Sequence, residues 1–408
     1  MTSAADAQTM LMALLDPSNR ADPYSVYERI RSGGPLVMPD AHLTVFSSFG
    51  DCDDVLRHPS SASDGMKSTM VQQRIAEGET VRPFGPPGFL FLDPPDHTRL
   101  RKLVSKAFVP RVVKALEPDI IEMVSRMLDD IEARGSFDVI GDLAYPLPVA
   151  VICRLLGVPL EDEPLFSRAS AILAQALDPF ITVTGDVPDE ADERLEAGRW
   201  LREYVHGLIE QRRGDPRDDL ISGLIAAEES GDQLTEDEIV ATCNLLLIAG
   251  HETTVNLIAN AILAMLRDEV QWKALADNPD RVSAVVEETM RYDPPVQLVM
   301  RIAGEDMTIG SVAVPKGDTM MLLIAAAHRD PETHDRPDVF DPDRDSIRHL
   351  GFGKGPHFCL GAPLARLEAS VALAAVARRF PSARLAGEPV YKPNLTLRGY
   401  SSLAVALS

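Results

Sequence analysis

The chain has 408 residues, 45% of them hydrophobic and 25% charged, the composition of a folded protein large enough to bury an extensive core. Its formal net charge of −22 excludes a general nucleic-acid binder, because phosphate recognition needs a basic face. The four cysteines, Cys52, Cys153, Cys243 and Cys359, lie far apart and form no close pair of the kind that binds zinc or exchanges disulfides, so a reducing compartment fits. Met1 to Pro17 has no basic segment followed by an apolar run, and neither a secretory signal nor an N-terminal membrane anchor is expected.

In chain order, helical spacing covers Tyr24 to Ile30, Leu43 to Phe46 reads as a strand, and a short helix follows from Cys52 to Arg57. Ser61 to Pro95 is turn-rich, with Pro83-Phe84-Gly85-Pro86-Pro87-Gly88 leading into apolar Phe89 to Leu92; so long an irregular segment reads as one wall of a ligand pocket. Helical periodicity then dominates over 99–108, 111–133, 145–156, 163–177, 189–212 and 220–228. The break at 179–188 is expected to be a mobile lid. Within this region His97 to Leu116 carries Arg99, Arg101, Lys102, Lys106, Arg111 and Lys114 and no acid, a basic island that asks for an anionic partner or ligand.

Thr235 with Glu238 three residues on is a capping box, and from Ile239 to Leu266 the only charged residue is Glu252. Gly250-His251-Glu252-Thr253-Thr254 interrupts the apolar run and no positive belt flanks it, so a helix buried through the protein is expected rather than a membrane span. A buried carboxylate without a partner is strongly disfavoured, so something must compensate Glu252. The threonine hydroxyls can back-bond to helix carbonyls and, beside Gly250, bend the helix or open a groove. Val282 to Arg291 is a helix stopped by Asp293-Pro294-Pro295, and Glu288 and Arg291 share one of its faces. Alternation then predicts strands at Val296–Ile302, Met307–Ile309, Val312–Val314 and Thr319–Ile324, followed by a helix from Pro363 to Phe380 and a last strand pair near Leu395 to Leu407.

Phe352-Gly353-Lys354-Gly355-Pro356-His357-Phe358-Cys359-Leu360-Gly361 opens that last long helix. Glycines at 353, 355 and 361 allow left-handed or crowded backbone, so a flat group could approach closely. A helix N-terminus favours a thiolate, and Cys359 therefore reads as an anionic sulfur aimed at a metal. A lone cysteine in a glycine-rich turn is more often an inert core thiol, so other stretches must support the reading.

They do. Phe352, Gly355, His357, Cys359 and Gly361 resemble the haem-binding loop of the cytochrome P450 family, and Ala249-Gly250-His251-Glu252-Thr253-Thr254 is similar to its oxygen-activation segment. Glu288, Arg291 and, in Phe340-Asp341-Pro342-Asp343-Arg344, Arg344 match its structural triad. His97, Arg101, Arg301 and His357 match its contacts to the haem propionates. The resemblance covers nearly the whole chain and is to the soluble bacterial type. His328, before Arg329-Asp330-Pro331, departs from the asparagine of many relatives and carries little weight here.

The resemblance implies a mainly α fold with small β-sheets, haem b (iron protoporphyrin IX) lying between the long central helix and the Cys-loop helix. It implies one domain over 1–408, with a helix-rich lobe from 96–293 and 345–380 and a smaller β-rich lobe from the N-terminal segment, 296–325 and 390–408. Cys359 would be the axial iron ligand, with Phe352, Gly353, Gly361, Ala249 and Gly250 lining the haem and Glu252 and Thr253 delivering protons during reductive activation of dioxygen. The implied activity is monooxygenation of a hydrophobic substrate with NAD(P)H electrons from a ferredoxin or flavodoxin-type donor. That donor is expected to dock on Arg99, Lys102, Lys106, Arg111 and Lys114 of a cytoplasmic monomer. Phe89, Leu246, Ala249, Val296, Leu298 and Val299 are the expected pocket wall. The alternatives are a peroxygenase or isomerase, and a non-catalytic haem-based sensor or carrier.

Overall fold

The protein is described by a computed structural model covering residues 4–81, 85–184, 190–229 and 234–407. Pro83 and Phe84 of the expected pocket loop, and Gly185 to Pro188 of the expected lid, lie outside the described residues. The chain opens with α1 (Ala4–Leu15), α2 (Tyr24–Ser32), β1 (Leu36–Met38), β2 (Leu43–Phe46), α3 (Phe49–Arg57), β3 (Ser61–Ala62) and α4 (Thr69–Ala76). A helical run follows: α5 (Asp96–Val104), α6 (Pro110–Ala115), α7 (Glu117–Arg134), strand β4 (Ser136–Asp138), then α8 (Pro146–Leu156), α9 (Glu163–Gln175), α10 (Phe180–Thr184), α11 (Ala191–Gly214) and α12 (Leu220–Glu229). The central helix α13 (Glu236–Leu266) leads to α14 (Glu269–Asp277) and α15 (Val282–Tyr292). Strands β5 (Val299–Ala303), β6 (Met307–Ile309), β7 (Val312–Val314) and β8 (Thr319–Leu322) precede the short α16 (Ile324–Ala327) and the long α17 (Ala362–Arg379). The chain closes with β9 (Arg384–Leu385), β10 (Val390–Tyr391), β11 (Tyr400–Ser402) and β12 (Ala404–Ala406).

Helix α13 organises the larger core. Thr235 accepts from the Glu238 amide while Glu238 accepts from the Thr235 amide, so the capping box read from the sequence fixes its start. By length and composition α13 could cross a membrane, but its most apolar stretch is 71% buried against protein. It packs on α8, α17, α15, α11 and α9, and this core includes Ile239, Leu247, Val255, Ile258 and Ile262 from α13. At Gly250 the helices are so close that a Cβ would lie 2.9 and 3.0 Å from Cγ1 and Cδ1 of Ile152 on α8. A larger residue there would force the Ile152 side chain to shift.

A five-stranded sheet in the order β1-β2-β8-β5-β3 packs beside this helical body; β2 and β8 are parallel and the remaining pairs antiparallel. It carries two smaller cores, one with α1, α2 and Leu298, the other with α3 and Ala327. The last two strands, β11 and β12, do not pair with each other as expected: β11 pairs with β10, and β12 lies between β4 and β9. Short strands carry too little pattern to name their partners.

Other departures have local causes. Pro118 opens a new helix, dividing the expected 111–133 segment into α6 and α7. The turn-rich stretch between Ser61 and Pro95 holds α4, and Ile324 begins α16 where a strand was expected to continue. Helices α1 and α14 have no counterpart among the elements expected from the sequence.

Candidate active site

Cys359 stands at the mouth of α17, where its amide donates to Phe352 O at 2.8 Å and the Gly353 amide donates to Leu350 O at 2.7 Å. These bonds fold 350–359 into a tight loop. Gly353 and Gly355 have φ of +68° and +66°, and a Cβ on Gly355 would also strike Leu56 O at 2.7 Å. Gly361 differs from the sequence reading: its φ is −81° and nothing lies within 4 Å of a built Cβ. Backbone strain does not demand glycine there.

The Cys359 thiol is accessible yet surrounded by protein, as at the bottom of a cleft. Burial pushes the thiol above its ordinary value, and the Gly361 amide, Arg101, the Ala362 amide and Arg366 oppose this without reversing it. The helix terminus alone does not offset this desolvation, and a metal cation would be the further charge able to draw off the proton.

Around that cleft the structure gathers the residues matched to propionate contacts. The His97 and His357 rings lie 4.1 Å apart, and Arg101 donates to Phe358 O at 2.5 Å. Both ring nitrogens of His97 and Nδ1 of His357 are buried without a hydrogen-bond partner. Burial, then Arg101, lowers His97; burial, then His97 and Arg301, pushes His357 down to about 3. Arg301 is lowered to about 10 by burial, with Asp93 working against the shift. Desolvated imidazoles with idle nitrogens beside a desolvated guanidinium suit a ligand that brings carboxylates, so these residues fit a haem with its propionates.

Glu252 is 7% exposed on α13, and its compensation is Lys392, whose Nζ donates to Oε1 at 3.1 Å and Oε2 at 2.8 Å. Thr253 donates to Ala249 O at 2.9 Å, the back-bond anticipated from the sequence. Ala249 is exposed and Gly250 half-buried in the middle of this otherwise buried helix, which leaves a gap on that face. Gly88 ties the pocket loop to the same helix, since a Cβ there would lie 2.8 Å from Leu245 Cβ, and the adjoining Phe89 ring lies 6.5 Å from the His97 ring.

The scaffold behind the loop is a buried charge network. Glu288 accepts from Arg291 at 2.8 and 2.7 Å, from Arg344 at 3.1 Å and from the Asp341 amide at 2.8 Å. Arg291 further donates to the carbonyls of His328, Pro337 and Val339, so α15 is tied to the segment leading to the Cys loop. Two members were missed by sequence reasoning. Glu287 accepts from His349 at 3.0 Å and from Arg366 at 2.5 and 2.9 Å, and Arg366 lies 4.4 Å over the Phe352 ring. Although burial works against ionisation, the Arg366 and His349 hydrogen bonds hold the Glu287 carboxyl down at about 2. His328, given little weight above, accepts the Leu350 amide on Nε2 at 2.7 Å and braces the loop directly. A dipeptide spacing could reveal neither, because their partners lie 79 and 22 residues away.

Two expectations are corrected. Arg99 is bound to Glu238 at 2.5 and 3.1 Å and to Asp96 at 3.0 Å, so it staples α5 to the start of α13 and is not available as a docking charge. Lys102, Lys106, Arg111 and Lys114 are exposed. Leu298, 1% exposed, is packed into the core formed with Val26, Leu36 and Leu395 and lines no open space. Phe89 and Leu246 are also largely buried in the helical core, whereas Ala249 is exposed and Val296 and Val299 are half-buried.

The cytochrome P450 family model matches residues 55–394, and the chain belongs to the cytochrome P450 family. It is thus an oxidoreductase of the monooxygenase class whose cofactor is haem, iron protoporphyrin IX. The ligand-free structure of CYP164A2 from Mycobacterium smegmatis is 68% identical, with 98% of this chain and 100% of that chain covered and a TM-score of 0.94. Vitamin D(3) 25-hydroxylase of Pseudonocardia autotrophica is 39% identical over 394 residues, 95% of this chain and 94% of that protein. The myxobacterial cytochrome P450 CYP267B1, solved with myristic acid, is 36% identical with a TM-score of 0.86 and coverage of 97% of this chain and 99% of that one.

Proposed function

We propose that this chain inserts one oxygen atom from dioxygen into a C–H bond of a hydrophobic substrate, with Cys359 as the residue whose sulfur would bind the haem iron. The observation that carries this is the convergence of the accessible Cys359 with the unpartnered, buried nitrogens of His97 and His357. Thiolate-ligated haem, when bound, supplies reductive cleavage of the O–O bond. Arg101 and Arg301 would hold its propionates by charge and His97 and His357 by hydrogen bonds from their idle ring nitrogens, and Phe352, Gly353, Ala249, Gly250 and Gly361 would leave room for the group. Glu252 and Thr253 hold and pass protons from the α13 side, while the apolar walls exclude bulk water.

Exposed Leu90 and Phe91 and half-buried Val296 and Val299 favour an apolar substrate. The relatives' association with vitamin D(3) and myristic acid points the same way. Lys102, Lys106, Arg111 and Lys114 form the docking charge for an acidic ferredoxin or flavodoxin-type donor that carries NAD(P)H electrons. The chain works as one cytoplasmic, monomeric domain with a helix-rich and a β-rich lobe. The deciding measurement is the carbon monoxide difference spectrum of the dithionite-reduced protein: a Soret band far to the red of histidine-ligated haem supports Cys359 ligation, and a histidine-like band refutes it. Thr253→Ala is expected to raise peroxide release per NADPH consumed, and charge reversal at Lys106 and Arg111 to slow reduction in a salt-dependent way.

A further inference from the structure

We infer that Lys392, on the closing hairpin, is a positioning residue for proton delivery: it holds the Glu252 carboxylate and sets its direction. The inference rests on the proposed role of Glu252 and goes beyond it by naming the group that governs that carboxyl.

Glu252 is the lone charge between Ile239 and Leu266, and a buried carboxylate is strongly disfavoured without a partner. Lys392 contacts both carboxylate oxygens, with the side chains 22% and 9% exposed, so the two charges meet largely out of water. Thr253 follows Glu252 but points about 100° further round the helix. Its hydroxyl is kept on the Ala249 carbonyl, whereas the carboxylate is drawn to the hairpin. A proton passing between these neighbours therefore requires the carboxyl to exchange Lys392 for the cleft.

Lys392 is itself held firmly. Its amide donates to Gly399 O at 3.0 Å across the β10–β11 hairpin. The hairpin tip is anchored to Asp178, which accepts from the Leu395 amide at 3.1 and 3.0 Å and from the Thr396 amide at 2.6 Å. Leu397 forms a β-bridge to Val296, a residue of the proposed pocket wall. The ammonium thus sits on a strut that runs from the pocket wall and the end of α9 to the acid. Among the described residues, Tyr145 senses the Glu252 charge, and Glu163 accepts the Tyr145 hydroxyl at 2.5 Å. Glu163 is half-buried on α9.

Removing Lys392 leaves Glu252 buried without its cation and shifts it towards the protonated form, in which it cannot accept a proton from the solvent side. The test compares the parent with Lys392→Met, Lys392→Arg and Glu252→Gln as haem-loaded proteins matched by their carbon monoxide spectra. O2-dependent NADPH consumption and peroxide yield are followed from pH 5.5 to 9 with a generic ferredoxin and reductase. For Lys392→Met the acid limb of the rate profile is expected to move up by about one pH unit or more, about tenfold in proton occupancy. Lys392→Arg is expected to retain the parent profile. A denaturant-unfolding cycle of Lys392→Met with Glu252→Gln supplies a readout independent of turnover, with an expected coupling of about fivefold or more in the folding equilibrium. An unmoved acid limb in Lys392→Met, with Glu252→Gln altered, overturns the role of Lys392, as does additivity in the unfolding cycle. An unaltered Glu252→Gln instead removes the assignment of Glu252 on which the inference rests.

Discussion

Glu368 sits inside α17, nine-tenths or more buried among the helices that carry the Cys loop, and its Oε2 has no hydrogen-bond partner. Burial pushes this carboxyl up to about 8, with no opposing cation. In the unfolded chain it ionises near its ordinary value of 4.5, so between pH 4.5 and 8 the folded state binds the extra proton and stability falls as pH rises. Each pH unit in that window costs about 1.4 kcal/mol, which amounts to about 3 kcal/mol at pH 7. Glu368→Gln keeps the shape and a polar end but cannot titrate. Its stability relative to the parent is therefore expected to increase by about 1.4 kcal/mol for each pH unit from 5 to 8 and to level off above. Urea unfolding at fixed pH intervals, followed by tryptophan fluorescence and the Soret band, measures that slope. A constant offset would reflect only the amide's different packing. Parallel parent and variant curves from pH 5 to 8 would refute the reasoning, because they would mean that the carboxyl is solvated or paired in the folded protein.

Three further outcomes follow from other parts of the scaffold. The Glu287 carboxylate, held down at about 2, contributes stability that is complete above pH 4.5 and lost as pH falls towards 2. Because it is partly exposed, Glu287→Gln should cost about 1–2 kcal/mol at neutral pH and remove that acid-side loss in unfolding curves. Glu288→Ala strands the buried guanidinium of Arg291 and should cost about 3–5 kcal/mol together with retention of haem, read from the Soret band after gel filtration. Gly250→Val crowds the Ile152 side chain between α13 and α8 and should destabilise by about 1–3 kcal/mol, with partial recovery of the melting temperature on adding Ile152→Ala.

Much of the fold was legible because its signals are local. The start of α13 was readable from Thr235 and Glu238, since capping involves residues three apart, and α8, α9, α11, α15 and α17 were readable within a few residues because each presents a helical apolar stripe. The N-terminal helix α1 and the exposed α4 were missed where that stripe is weak. Glu288 and Arg291 were expected to pair from spacing, and they do. Leu298 was assigned to the pocket from its place after the Glu288–Arg291 helix; its burial among α1, α2 and the sheet follows from how three separate elements meet.

The residue types of the site, a cysteine before a long helix, a lone acid with threonine in an apolar helix, and histidines and arginines at matched places, were determined by the sequence itself. Each depends on local spacing and chemistry. Which charges meet was decided by tertiary structure. Arg99 was diverted to Glu238, His328 was recruited to the Leu350 amide, and Glu252 was matched with Lys392, 140 residues further along the chain. A buried carboxylate implies that a partner exists, but the packing of the closing hairpin against α13 selects which cation is brought there, and no local periodicity carries that information.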